Sequence, residues 1–200
     1  MSARPSFDHI WKRSDALKQT ILVVTIALTV AAVSTQTQSA NPLSAGAART
    51  YGIIKGYILK AAAKMPEANY SFRPTPEVRT FGQLIGHIAD ANYGICATVA
   101  GEKPPAGGFE PAASIEKNKS SKADLDQALA DSFAYCDKVH ASMTDAGGAT
   151  IIKFLTGDLP KLSALEFNTH HDFEHYGNIV TYMRLKGLVP PSSEQQTPTR

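Results

Sequence analysis

The stretch DLPKLSALEFNTHHDFEHYGNIVTYMRLKGLVPP, Asp158 to Pro191, reads as one long helix with both ends marked. Asp158 and Pro160 suit a helix's first positions, where a missing amide hydrogen costs nothing and a carboxylate meets the positive end of the dipole. Leu162, Leu165 and Tyr182 supply apolar positions, Arg184 and Lys186 occupy the last turn, and Gly187 followed by Pro190-Pro191 ends the run. Three further helical stretches precede it. From about Pro42 to Met65, Tyr51, Ile54, Ile58, Ala61 and Met65 recur at three- and four-residue spacing until Pro66 stops them. The second opens at Thr80-Phe81-Gly82-Gln83, a capping box, and continues to about Ala100 before Gly101. The third follows Ser121, carries Leu125, Leu129, Phe133, Cys136, Val139 and Met143 on one face, and ends before Gly147-Gly148.

Neither strand-like alternation nor an internal repeat is evident, so the expected fold class is all-α. Between the second and third helices lie 20 residues, GEKPPAGGFEPAASIEKNKS, far more than antiparallel neighbours in a bundle need. A crossover of this length lets the two helices it joins run parallel. The expected architecture is a four-helix bundle in up-down-down-up order over residues 41–193.

At 200 residues with 43% hydrophobic content, the chain has enough apolar surface for one domain without disulfide staples. Its formal charge of +2 is not concentrated in any block of like charges, which argues against nucleic acid as a partner. The first 40 residues stand apart. Arg4, Lys12, Arg13 and Lys18 precede the uncharged run ILVVTIALTVAAV, Ile21 to Val33. These 13 residues fall short of a bilayer span of about 20, so they read as the core of a cleaved export signal, with an uncleaved anchor as the alternative. Residues after Ser193 read as a flexible tail. The expected location is outside the cytoplasm, with the membrane touched only through the N-terminal segment if it stays uncleaved.

Histidine carries the chemistry. In His170-His171-Asp172-Phe173-Glu174-His175, His171 and His175 are one turn apart and project from one helix face, where both can ligate one ion at about 2.0 to 2.1 Å. His170 is turned by about 100° and reads as surface or as an outer support. His87, flanked by Leu84, Ile88 and Ala91 in the second helix, is the candidate third ligand. Three neutral imidazoles leave one coordination position open, as in catalytic zinc sites. Asn168 shares the stripe of His171 and His175 and reads either as an orienting residue for a ligand or as a structural hydrogen-bonding group. His140 reads as part of a solvated face. His171 to His175 also spells H-x-x-E-H, the inverted zinc-peptidase pattern, but that pattern needs a ligand well downstream. Glu194, the single acidic residue after His175, lies beyond Pro190-Pro191. What survives for Glu174 is a local general-base role or, alternatively, a surface or supporting contact. Cys96 and Cys136 read equally as a disulfide and as buried thiols.

LIGHIADAN, Leu84 to Asn92, and EHYGNIVTYMRLKGLVPPSS, Glu174 to Ser193, resemble the two signature segments of the DinB-like superfamily of metal-binding four-helix bundles. The resemblance extends from about Tyr51 to Ser193. It implies the up-down-down-up bundle and maps the metal-binding histidines to His87, His171 and His175. Thiol-dependent transferases and isomerases occur in that superfamily, so the resemblance points to a metal-dependent hydrolase or transferase acting on a small molecule. Zinc or nickel is the expected ion, with iron or manganese also suited to the donors. The competing expectation is a noncatalytic metal- or ligand-binding bundle, which could be a homodimer.

Overall fold

Prolines and side-chain caps mark where several of the helices begin. The computed structural model describes residues 40–155 and 157–194. Most of the export segment expected over 1–40, and the tail beyond residue 194, lie outside the described residues. Helix α1 spans Pro42–Lys64 with proline in its first turn. Helix α2, Phe81–Ala100, starts at the expected capping box: the Thr80 hydroxyl accepts from the Gln83 amide and the Gln83 side chain accepts from the Thr80 amide. It ends at Gly101, whose φ of 78° is the left-handed conformation that glycine adopts freely. Two short helices follow in what read as connecting segments, α3 (Ile115–Asn118) and α5 (Asp145–Gly148), on either side of α4 (Lys122–Ser142). The long C-terminal helix is α6, Lys161–Leu185.

The described residues are mostly helical, with one short hairpin that the sequence did not announce. Strands β1 (Ile151–Phe154) and β2 (Gly157–Pro160) pair antiparallel, with Ile151 opposite Pro160 and Phe154 opposite Gly157. Four residues per strand are too few for a period-2 pattern to emerge, and Asp158 and Pro160, read as helix-opening residues, are used in β2 instead. Helix α6 consequently starts at Lys161.

Helix α1 packs on α4 and α6, and α2 packs on the same two helices. Their apolar stripes form one core that includes Ile54, Ile58, Phe81, Ile85, Leu129, Phe133, Leu165 and Ile179, none of them accessible to solvent. Each such side chain contributes about 1.5 to 3 kcal/mol relative to an exposed position. Two features tie α2 to α4. Cys96 and Cys136 form a disulfide across a Cα separation of 5.5 Å, resolving the alternative left open by their sequence. One turn earlier on both helices, the Asn92 amide donates to the Ser132 hydroxyl at 3.3 Å, while the Asn168 amide of α6 donates to Asn92 Oδ1 at 2.8 Å. Buried amides linked in this way specify helix register, because a slip would leave them unpaired.

His140 is not on a solvated face. It is 6% exposed and stacks on Tyr51 with ring centroids 4.1 Å apart. Burial pushes its imidazole down to about 4, with nearby Asp137 opposing the shift. The apolar positions of α4 mark the face that packs against α2, and His140 faces α1, a second contact that periodicity alone does not reveal.

Candidate metal centre

Helices α2 and α6 carry three histidines to one point. His87 follows Leu84 and Ile85, both buried, and its ring sits at the edge of the α2–α6 contact, half-buried. His171 is likewise half-buried, and His175, one turn on, is buried. The Nε2 atoms converge: His87 lies 3.1 Å from His171, and His171 lies 2.9 Å from His175. Three nitrogens bound tetrahedrally at 2.0 to 2.1 Å would stand about 3.3 Å apart. These three residues therefore form a group that could hold a metal ion, each offering one ligand atom, all within 4.8 Å of one another.

Their charge state suits such a role. Burial first, then the neighbouring imidazoles of His175 and His87, pushes His171 down to about 3. Burial pushes His175 down to about 4. His87 is also lowered, chiefly by burial and then by Arg79, against the opposing pull of Glu116. Near neutral pH all three rings are uncharged, and a neutral imidazole is the form that donates a lone pair to a metal.

Glu116 is the residue that sequence reading missed. Its Oε2 lies 3.3 Å from His87 Nδ1, and its Oε1 accepts from Arg79 Nε at 2.9 Å. A carboxylate at Nδ1 favours the tautomer with hydrogen on that nitrogen, leaving the Nε2 lone pair aimed at the other histidines. Placing Glu116 there takes several residues. Asp90, one turn beyond His87, accepts from the Ser114 hydroxyl at 2.8 Å, the Ile115 amide at 2.8 Å and the Glu116 amide at 3.1 Å. These bonds clamp the start of α3 against α2. Gly86 makes the approach possible, since a Cβ there would lie 2.6 Å from Glu116 Cα. The sequence did hold a trace of this arrangement: Asp90 is buried at i+3 from His87, and Ser114 stands as a capping residue before Ile115. Nothing local, however, joins those two signals across 24 residues.

The other expected residues are placed as follows. His170 is exposed beside Pro42, Leu43 and Thr50 of α1, turned away from the three histidines. Asn168 is fully buried, and its amide goes to Asn92 rather than to a histidine. Glu174 is exposed and lines a polar cavity of about 440 Å³ with His175, Arg79, Glu116, Asn178 and Tyr182. Asp172, between the two ligating candidates of α6, is fully buried with neither carboxylate oxygen bonded among the described residues, and desolvation raises its carboxyl well above the usual range.

A family model described as the DinB superfamily matches residues 56–179. The chain belongs to that superfamily. Solved structures with the DinB fold agree. A DinB-like protein from Bacillus cereus ATCC 10987 superposes with a TM-score of 0.62 at 19% identity, over 73% of this chain and 94% of that one. A DinB-like protein from Bacillus subtilis gives 0.59 at 17% identity, over 76% and 99%. A mycothiol-dependent maleylpyruvate isomerase gives 0.57 at 15% identity, over 68% of this chain and 60% of the isomerase. No curated protein matches the chain. Identities this low carry the DinB fold and not a shared reaction.

Proposed function

We propose that this DinB-superfamily protein is a metal-dependent hydrolase or transferase of a small molecule, with His87, His171 and His175 holding a divalent ion. The convergence of three uncharged Nε2 atoms carries this reading. When bound, the ion would supply Lewis acidity, lowering the pKa of a coordinated water or thiol and polarising the group it attacks. The protein's own residues supply the rest. Glu116 orients His87, Arg79 holds the Glu116 carboxylate, and Glu174 lies at the rim of the cavity beside His175, where it could accept a proton from an incoming nucleophile. The mycothiol dependence of one structural neighbour supports a thiol transferase or isomerase as one form of this chemistry.

The reading also includes an up-down-down-up bundle and an exported protein. Supporting the bundle order, Cys96 pairs with Cys136 and Asn92 with Ser132, so α2 and α4 meet in the same sequence direction. Asn92 meets Asn168 while His87 meets His171, so α2 and α6 meet in opposite directions. Supporting export, a bond such as Cys96–Cys136 persists most readily in oxidising compartments, and a signal-like segment precedes the domain.

The test is element-resolved metal analysis of the untagged protein and of the His87→Ala, His171→Ala, His175→Ala and His170→Ala variants. The first three should lose stoichiometric metal and the last should retain it. With metal retained, Glu174→Gln should slow turnover of a responsive ester, amide or thiol-transfer substrate by roughly 10²-fold. Untagged protein without bound metal after separate incubations with zinc, nickel, ferrous iron and manganese would end the reading.

A further inference from the structure

A second cavity, of about 340 Å³, shares Glu116 with the polar one and is lined by His87, His171, Ile95, Phe109, Pro111 and Phe167 among others. Its two aromatic walls are not core residues with stray exposure. Phe109 is 48% exposed and Phe167 37%, yet each is held by a specific local device. Phe109 comes from the long segment between α2 and α4. Gly107 and Gly108, with φ of 55° and 83°, turn that segment back onto α2, and Phe109 rests against Gly94, where a Cβ would lie 2.6 Å from the ring. Phe167 projects from α6, and its ring meets Phe154 of β1 edge to face at a centroid distance of 5.4 Å. The connecting segment and the hairpin thus each prepare an aromatic surface beside the histidines and leave it open to solvent.

Two polar groups of this cavity are committed elsewhere, while Glu110 and Lys117, both exposed, also line it. Asp90 is engaged by Ser114 and the amides of Ile115 and Glu116, and Glu116 by Arg79 and His87. The rest of the lining is largely apolar and includes His87 and His171, which are also candidate ligands. A cavity that is mostly apolar, with few convergent polar groups, is the usual form of a small-molecule site, and 340 Å³ lies within the range of such sites. The polar cavity, with His175, Arg79, Glu174 and Asn178, differs from it in character.

We infer that this cavity takes the apolar arm of the substrate: an uncharged aromatic or branched aliphatic group, one ring in size, attached to the reacting group at the histidines. The inference rests on the metal-dependent reading proposed above. It is tested on the full chain carrying its metal by calorimetric titration with acetohydroxamate and benzohydroxamate, which share a metal-binding head and differ in methyl against phenyl. After correction for each probe's affinity for the same ion in solution, benzohydroxamate should bind about tenfold tighter, as expected for partial burial of a ring. The ratio should collapse toward one in Phe167→Ser and fall in Phe109→Ser, whereas Leu185→Ser, an exposed site elsewhere on α6, should leave it unchanged. Equal binding of both probes to the metal-loaded protein, or a ratio indifferent to both phenylalanine substitutions, overturns the inference and leaves the metal reading standing. Failure of both probes with no metal present removes the metal reading and this inference with it.

Discussion

Glu116→Gln isolates the one contact, among the described residues, that fixes the outer nitrogen of a candidate ligand. The substitution preserves shape and leaves α3 clamped by Asp90, whose bonds go to the Glu116 backbone and not to its side chain. It removes the negative charge facing His87 Nδ1 at 3.3 Å and leaves Arg79 with a neutral partner in place of a charged one. A hydrogen bond to a charged group contributes about 1.5 to 3 kcal/mol and a neutral one about 0.5 to 1.5, so the expected loss is about 1 to 1.5 kcal/mol. That corresponds to roughly tenfold weaker metal binding, the low end of the 10- to 100-fold typical of residues supporting a metal ligand. The low end applies because 3.3 Å is a long contact and the Glu116 side chain keeps 20% of its surface exposed. Chelator competition at pH 7 would measure the affinities, with thermal unfolding to verify that the variant is folded. An affinity within twofold of the parent protein in a folded variant would refute the role assigned to Glu116.

Three other outcomes follow from the same structure. His140 is buried with its imidazole near 4 against about 6.5 when unfolded, so the unfolded chain binds the extra proton first and stability is lost as pH falls from 6.5 toward 4. Between pH 7 and 4.5 the parent protein should lose roughly 2 kcal/mol more than His140→Phe, which keeps the stack on Tyr51; urea unfolding at the two pH values would measure it, and parallel losses would contradict the burial argument. Replacing Cys96 and Cys136 with serine should cost roughly 4 kcal/mol, the loop-closure value for a separation of 40 residues, read from denaturant midpoints; an unchanged midpoint would show that the bond is not formed in the folded protein. Gly86→Ala would ordinarily favour a helix by about 1 kcal/mol, but its Cβ would meet the Glu116 backbone at 2.6 and 2.9 Å. It should therefore weaken metal binding and lower the melting temperature, and a more stable variant with full metal affinity would show that α3 moves away freely.

Much of this protein was legible because the relevant physics is local. The Thr80–Gln83 capping box, the glycine stop at Gly101 and the placement of His171 and His175 on one face all follow from contacts three or four residues apart, which a sequence displays directly. The apolar neighbours of His87 marked it as a candidate third ligand, the resemblance of Leu84–Asn92 and Glu174–Ser193 to a known family agreed, and the structure brings its Nε2 to 3.1 Å from that of His171. Other features depend on which surfaces meet. The four-residue strands exist through pairing with each other, so Asp158 and Pro160 could pass for helix-opening residues. His140 lies among residues of mixed polarity on α4, and only the arrival of Tyr51 from α1 buries it. Asn168 stands on the histidine stripe, but its amide is claimed by Asn92 from α2. Glu116 reaches His87 because Gly86 has no side chain and Asp90 captures three donors from a segment 24 to 26 residues away. Sequence determined the four long helices and the residues able to ligate a metal, since both depend on near neighbours. The tertiary structure decided which carboxylate supports the histidines and which aromatic rings flank them, because those contacts form only when a long connecting segment folds back onto a helix.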